Sequence, residues 1–211
     1  MLKPDGWLYH VIDRGTNALL LGLLWILCCL PAVTAGAATC ACYRTAQKCI
    51  LKNEGPFFAT FFRTFRANFK QATVLGLFWE LLIAAFFIGA SYAGGLSWDG
   101  LNGSGLSGGG VLYNALLIAV ILCAALFFWN MALIARFENK TFVHLRNSVL
   151  MAVKHLGATL LLLFCLVLTI FGVFAFFPLI FVLPVATMLI WAARLERLLQ
   201  KFRYIEEKER K

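Results

Sequence analysis

The sequence predicts an all-α integral membrane protein with five transmembrane helices and two amphipathic helices lying at the cytoplasmic interface. Three observations lead there. Of 211 residues, 62% are hydrophobic and only 14% charged, where an ordinary soluble domain carries about 25% charged residues; the mean hydropathy is +0.83. A soluble core could not hide that much apolar surface, because a domain of about 200 residues still leaves much of its chain facing water. A soluble enzyme is therefore excluded, and the 20 Phe and 6 Trp exclude disorder, which needs low hydrophobicity and high charge. Second, the charges are confined to the edges of long uncharged runs. Third, Lys and Arg gather into three segments that one face of a membrane could collect.

The runs define the spans. No Asp, Glu, Lys or Arg lies between Arg14 and Arg44, between Asp99 and Arg136, or between Lys154 and Arg194, and only Glu80 interrupts the stretch from Lys70 to Asp99. A spanning helix needs roughly 20 apolar residues. The first run predicts a span at about 16–39, the second at 72–93, and the third, after its glycine-rich start, at 111–135. The last run holds two short spans, 156–176 and 178–195, with Pro178 at the break, because proline removes a backbone donor and disfavours helix in the residue before it. The whole chain, 1–211, then reads as one membrane domain ending in a basic tail, 196–211. No polar residue marks the turn at Phe176, Phe177 and Pro178, so a re-entrant hairpin there stays open as an alternative.

Orientation follows from the positive-inside rule, which counts Lys and Arg and nearly ignores acids. The segments Arg44–Lys70, Arg136–Lys154 and Arg194–Lys211 hold six, four and seven of the 19 basic residues. Five spans with the amino terminus outside and the carboxyl terminus inside put all three in the cytoplasm. The run Ala18–Leu30 followed by Ala35, Gly36 and Ala37 could imitate a signal peptide. Cleavage there would put Arg44–Lys70 outside, against the charge rule.

Two cytoplasmic segments look interfacial. Over 56–70, helical projection at about 100° per residue sets Phe57, Phe58, Phe61, Phe62, Phe65 and Phe69 on one arc, with Arg63, Arg66 and Lys70 beside it. Rings in the acyl region and cations on anionic headgroups suit a helix lying in the interface. Membrane lipid is the first expected partner of this face, and docking of another protein the sharper alternative. Over 140–155, Phe142, Leu145, Val149, Ala152, Val153 and Leu156 share a face, with Asn147, Met151, Lys154 and His155 largely opposite. Each segment enters a span through a similar tetrapeptide, Ala72-Thr73-Val74-Leu75 and Ala158-Thr159-Leu160-Leu161, a weak hint of a parallel repeat.

Chemistry is sparse. Glu80 is the only acid inside a predicted span, and an intramembrane carboxylate is costly unless paired or protonated. It is the leading polar candidate, with Asn130 a partner at comparable depth. Cys40, Cys42 and Cys49 lack the second pair that a zinc pattern needs, and the other cysteines read as small apolar residues of the spans. The glycines of 100–110 have no Lys or Thr and so make no phosphate-binding loop. No catalytic constellation, metal site or cofactor is expected. The net charge of +9 needs no nucleic acid, because the positive-inside rule explains it. Pro31 is expected to kink the first span, and the small residues Ala32–Thr39 around Gly36 to admit a neighbouring helix closely.

Several of these residues also carry a resemblance. Leu24-Trp25-Ile26-Leu27, Leu30-Pro31, Thr34, Gly36-Ala37-Ala38-Thr39, Glu54, Phe61-Phe62, Phe65 and Asn68-Phe69-Lys70-Gln71, with Ala135-Arg136-Phe137-Glu138-Asn139 and Asn147 further on, resemble the signature of the YesL-like bacterial membrane proteins, a domain-of-unknown-function family. The resemblance implies a small multi-span protein of Gram-positive bacteria, associated with carbohydrate ABC transporters, and it makes a sugar permease an expected partner. Glu80 and the cysteines stand outside that signature. The sequence thus points to a non-catalytic accessory or regulatory membrane protein, with an autonomous small-solute or proton-coupled transporter using Glu80 as the alternative.

Overall fold

A computed structural model describes residues 7–98, 108–137 and 141–209. Asp99 and most of the glycine-rich stretch that follows it lie outside the described residues, as do Glu138 and Asn139. The elements run α1 (Trp7–Cys29), α2 (Ala35–Thr45, continued by a wider π-helical turn, Ala46–Leu51), α3 (Phe57–Trp98), α4 (Gly108–Arg136), α5 (Thr141–Lys154), α6 (Leu156–Ala175) and α7 (Leu183–Glu209), with tight 3-10 turns at Ala32–Thr34 and Phe177–Phe181. Every regular element among the described residues is helical. Four stretches are long and apolar enough to cross a membrane: Phe57–Ala93, Gly110–Arg136, Leu156–Ala175 and Pro178–Arg197. Their outward faces carry Leu81, Phe87, Ile118, Phe164 and Phe171, each more than half exposed. Water would not tolerate such a surface, and a bilayer requires it. The protein is a multi-pass membrane protein.

The segment expected as a first span, 16–39, is not a single helix. Helix α1 stops at Cys29 and α2 starts at Ala35, and the chain between them doubles back. The Trp25 indole N–H donates to the Thr39 hydroxyl at 3.2 Å. In one straight helix these residues would lie about 21 Å apart at 1.5 Å per residue. Helix α1 also packs along the turn at 46–51, which only an antiparallel return allows. Pro31 therefore reverses the chain where a kink was expected. It lacks the donor that would continue α1, and the Thr34 hydroxyl takes up the Cys28 carbonyl at 2.6 Å, one of the acceptors a helix end leaves open.

Helix α2 is the hub. Gly36 through Tyr43 are all buried, and α2 packs on α1, α3, α4 and α7. A Cβ added at Gly36 would run into the Ala72 carbonyl oxygen and lie 2.9 Å from the Gly76 Cα; one added at Gly76 would lie 2.9 Å from the Gly36 Cα. The two backbones touch. Around this crossing the core gathers Ala37, Cys40 and Tyr43 of α2, Ala72 and Leu75 of α3, Trp129 of α4 and Trp191 of α7.

Helix α3 is the second departure. The segment 56–70 and the span 72–93 form one helix of 42 residues, about 63 Å long, twice the roughly 30 Å of a bilayer core. Nothing between Lys70 and Ala72 breaks it. Pro56, ahead of its first residue, suits a helix start. At the corresponding place in the second half the helix does break, at His155 (φ −118°, ψ 52°). There the Thr159 hydroxyl donates to the Ala152 carbonyl at 3.0 Å and receives the Trp129 indole N–H at 3.1 Å. The two halves are thus not equivalent. Along α5, Phe142, Val149 and Val153 of the expected apolar face are exposed, whereas Ala152 of that face is buried together with His144 and Ser148.

The Gly36 crossing sets an expectation for stability. Gly36→Ala should lower the thermal midpoint in detergent, by the equivalent of about 1–3 kcal/mol of overpacking. Gly157→Ala, at a helical position with nothing within 4 Å, should be neutral or stabilising, by up to about 1 kcal/mol of helix propensity. Equal melting of the two variants would dismiss the backbone contact.

Candidate functional site

The hairpin places one ionisable group in an unusual position. Because α2 runs antiparallel to α3 and Gly36 meets Gly76, Glu80, one turn further along α3, stands level with the start of α2. A helix start carries partial positive charge on its free N–H groups, so the carboxylate has a local electrostatic reason to be there. Its Oε1 is buried, has no hydrogen-bond partner, and lies 3.8 Å from the Cβ position of Gly76. Glu80 is also close enough to interact electrostatically with Cys29 at the end of α1.

Asn130 does not join it. Its amide donates to the Ser148 hydroxyl at 3.5 Å, which ties α4 to α5 beside the buried His144. Burial holds the His144 imidazole below its usual range, and a hydrogen bond to the Phe137 backbone works weakly the other way.

The phenylalanine-rich stretch is divided by the fold. Phe61 is fully buried, packed in a cluster with Ala46 and Ile50 of the turn after α2, and Phe65 packs against both core clusters. Phe57 is half-buried. Phe58, Phe62 and Phe69 stay exposed, and so do Arg63, Arg66 and Lys70. On helical projection the three exposed rings fall within about 40° and the cations form a stripe next to them.

At the end of the molecule where α4 finishes, a group of residues comes together that the sequence did not single out as a site. Arg136 pairs with Glu196 of α7, and Lys52 approaches the same carboxylate at 3.6 Å. Glu196 is buried. Beside the pair runs an aromatic ladder, Tyr43 edge-on to Trp191 at 5.5 Å and Trp191 edge-on to Trp129 at 5.4 Å. From the sequence, Glu196 is simply the first residue of the basic tail, 196–211. The signal that would have found it is the helical stripe Val185, Met188, Ala192 and Leu195, all buried, on whose edge it falls. Arg136 belongs to the motif Arg136–Asn139, of which Glu138 and Asn139 lie outside the described residues, and Phe137 is exposed. Among the described residues no group of three or more His, Cys, Asp or Glu could hold a metal ion.

These features define a small all-helical membrane protein built on a broken hairpin and one long helix. Residues 18–90 match the family model described as "Protein of unknown function, DUF624". The match runs from α1 through the hairpin and most of α3, and so contains Pro31, Gly36, the phenylalanine stretch and Glu80. No curated protein and no solved structure matches the chain.

The ion pair has a measurable weight. Arg136→Ala leaves the buried Glu196 carboxylate without its nearest cation and should cost about 3 kcal/mol, the lower end for breaking a buried pair. Replacing both partners, Arg136→Met with Glu196→Leu, should cost clearly less than the sum of the single changes in a double-mutant cycle of unfolding free energies. Additive losses would mean that the two side chains act separately.

Proposed function

We propose that this chain is a non-catalytic protein of the bacterial cytoplasmic membrane that works by docking onto another membrane protein, and that its partner is the permease of a carbohydrate ABC transporter. The observation that carries the docking reading is the exposed half of the phenylalanine stretch. Helix α3 is too long for the bilayer, and its first half carries Arg63, Arg66 and Lys70, so that half emerges into the interface. It presents three rings beside three cations on a rigid rod held by Phe61 and Phe65. The carbohydrate assignment comes from the resemblance to the YesL-like proteins. The unknown-function family model over 18–90 is compatible with it.

The hairpin supports a topology with both termini in the cytoplasm, in place of an outside amino terminus. The chain enters and leaves the hairpin on one side, and four spans return the tail to that side. Lys3 and Arg14 then join the three basic segments, and all 19 Lys and Arg fall on one face. Fluorescent reporters that fold only in the cytoplasm, fused at either end, should both fluoresce. Alkaline phosphatase activity from the amino-terminal fusion alone would reinstate five crossings.

The docking reading is tested by gentle solubilisation from cells grown on complex sugars. A sugar permease should co-purify stoichiometrically. It should be lost from Phe58→Ser/Phe62→Ser/Arg66→Glu, a variant confined to exposed positions whose melting should match the parent. Recovery of the chain alone, where other complexes survive, would overturn this reading. The unpartnered Oε1 of Glu80 beside the start of α2 then favours a proton-coupled transporter, in which Glu80→Gln abolishes pH-dependent uptake.

A further inference from the structure

A groove of about 690 Å³ opens between the end of α4 and α5, within the range of about 300–1,000 Å³ usual for ligand sites. Leu133 of α4, Phe137 just after it, and Leu150 and Val153 of α5 supply its apolar surface, and Asn147 and Lys154 its polar atoms. Leu150 and Val153 are 58% and 64% exposed, so the groove is open at the surface. Its position is set by α4, whose apolar run ends at Arg136, one residue before Phe137. It therefore lies where acyl chains meet headgroups.

We infer that this groove is a binding site for one anionic phospholipid, with an acyl chain along Leu133, Phe137, Leu150 and Val153 and the phosphate at Lys154 and Asn147. Charge selects the occupant. Lys154 is the one charged residue among the described residues lining the groove, so its polar edge favours an anion, while its apolar surface has no use for a free phosphate. Basic pockets between membrane helices on the cytoplasmic side take up anionic lipid headgroups for this reason. The exposed row of Phe142, Val149 and Val153 continues the same lipid-facing surface along α5, and Leu156 extends it to the start of α6. The site is separate from the stripe on α3 and stands or falls without it.

The test uses the full chain in mixed micelles, with lipid retention read by native mass spectrometry. Phosphatidylglycerol should be retained as a single molecule in preference to phosphatidylcholine of identical chains. Lys154→Ala should weaken retention about fivefold, the equivalent of the about 1 kcal/mol that a basic residue contributes near an anionic membrane surface. Leu150→Trp, at an exposed position, should block the groove and abolish retention. Melting without lipid serves as the folding control for both variants. Equal retention of the two lipids would overturn the proposal, as would undiminished retention by Leu150→Trp. Competition by glycerol 3-phosphate as effective as by phosphatidylglycerol would overturn it too, since it would make the site one for free phosphate.

Discussion

The contact between Gly36 and Gly76 is the constraint on which the rest of the structure depends. Within a bilayer, helices gain little from burying apolar surface against one another, because the lipid is equally apolar; they associate by close packing and by hydrogen bonds. Here the packing reaches backbone against backbone, with the Gly36 Cα against Gly76 and the Ala72 carbonyl. That contact draws the short α2 into the centre and sets its register on α3. The register in turn brings Tyr43 against Trp191 and leaves α4 and α7 to close around it. Every candidate feature, from Glu80 to the Arg136–Glu196 pair, is positioned relative to α2.

Sequence reasoning recovered what charge and hydropathy control. The apolar runs that end at Arg136 and begin after Lys154 do form separate helices long enough to span, and of the small residues after Pro31, Gly36 to Thr39 do lie in the interior. It missed what tertiary contacts decide. The run between Arg14 and Arg44 has the length of one span, and proline permits either a kink or a reversal. The choice falls to Thr39 receiving Trp25 and Gly36 meeting Gly76, partners invisible to a single-segment reading. The hairpin left open at Pro178 proved to have its counterpart at Pro31. At Lys70 a change in polarity was taken for the end of a helix, whereas a helix passes through a membrane edge whenever no residue breaks it. On α5 the exposed Phe142, Val149 and Val153 suit the interfacial reading, and what the arc did not foretell is that the polar His144 and Ser148 are buried, with Ser148 bonded to Asn130.

The polar groups divide by how they are satisfied. Thr34, Thr159 and Trp129 spend their hydrogen bonds on helix ends and breaks, so their role is to hold the hairpin and the α5–α6 corner. Glu196 is buried against two cations near the polar edge, where an ion pair costs least to assemble. Glu80 differs from all of these. It faces a helix start without a hydrogen bond to its buried oxygen, and no cation approaches it among the described residues.

The hairpin also has a consequence for how the protein is made. Gly76 leaves the ribosome about 40 residues after Gly36, and until α3 has entered the membrane the glycine face of α2 has nothing to press against. Helix α2 is far less apolar than the spans that follow, with two Thr, two Cys, a Tyr and an Arg in its 11 residues. Early in synthesis α1 and α2 must therefore wait at the insertion machinery, or in its lateral opening, for a helix that has not yet been translated. The first stable membrane intermediate is then a three-helix unit closed by α3, and the boundaries of the family match at 18–90 enclose nearly that unit.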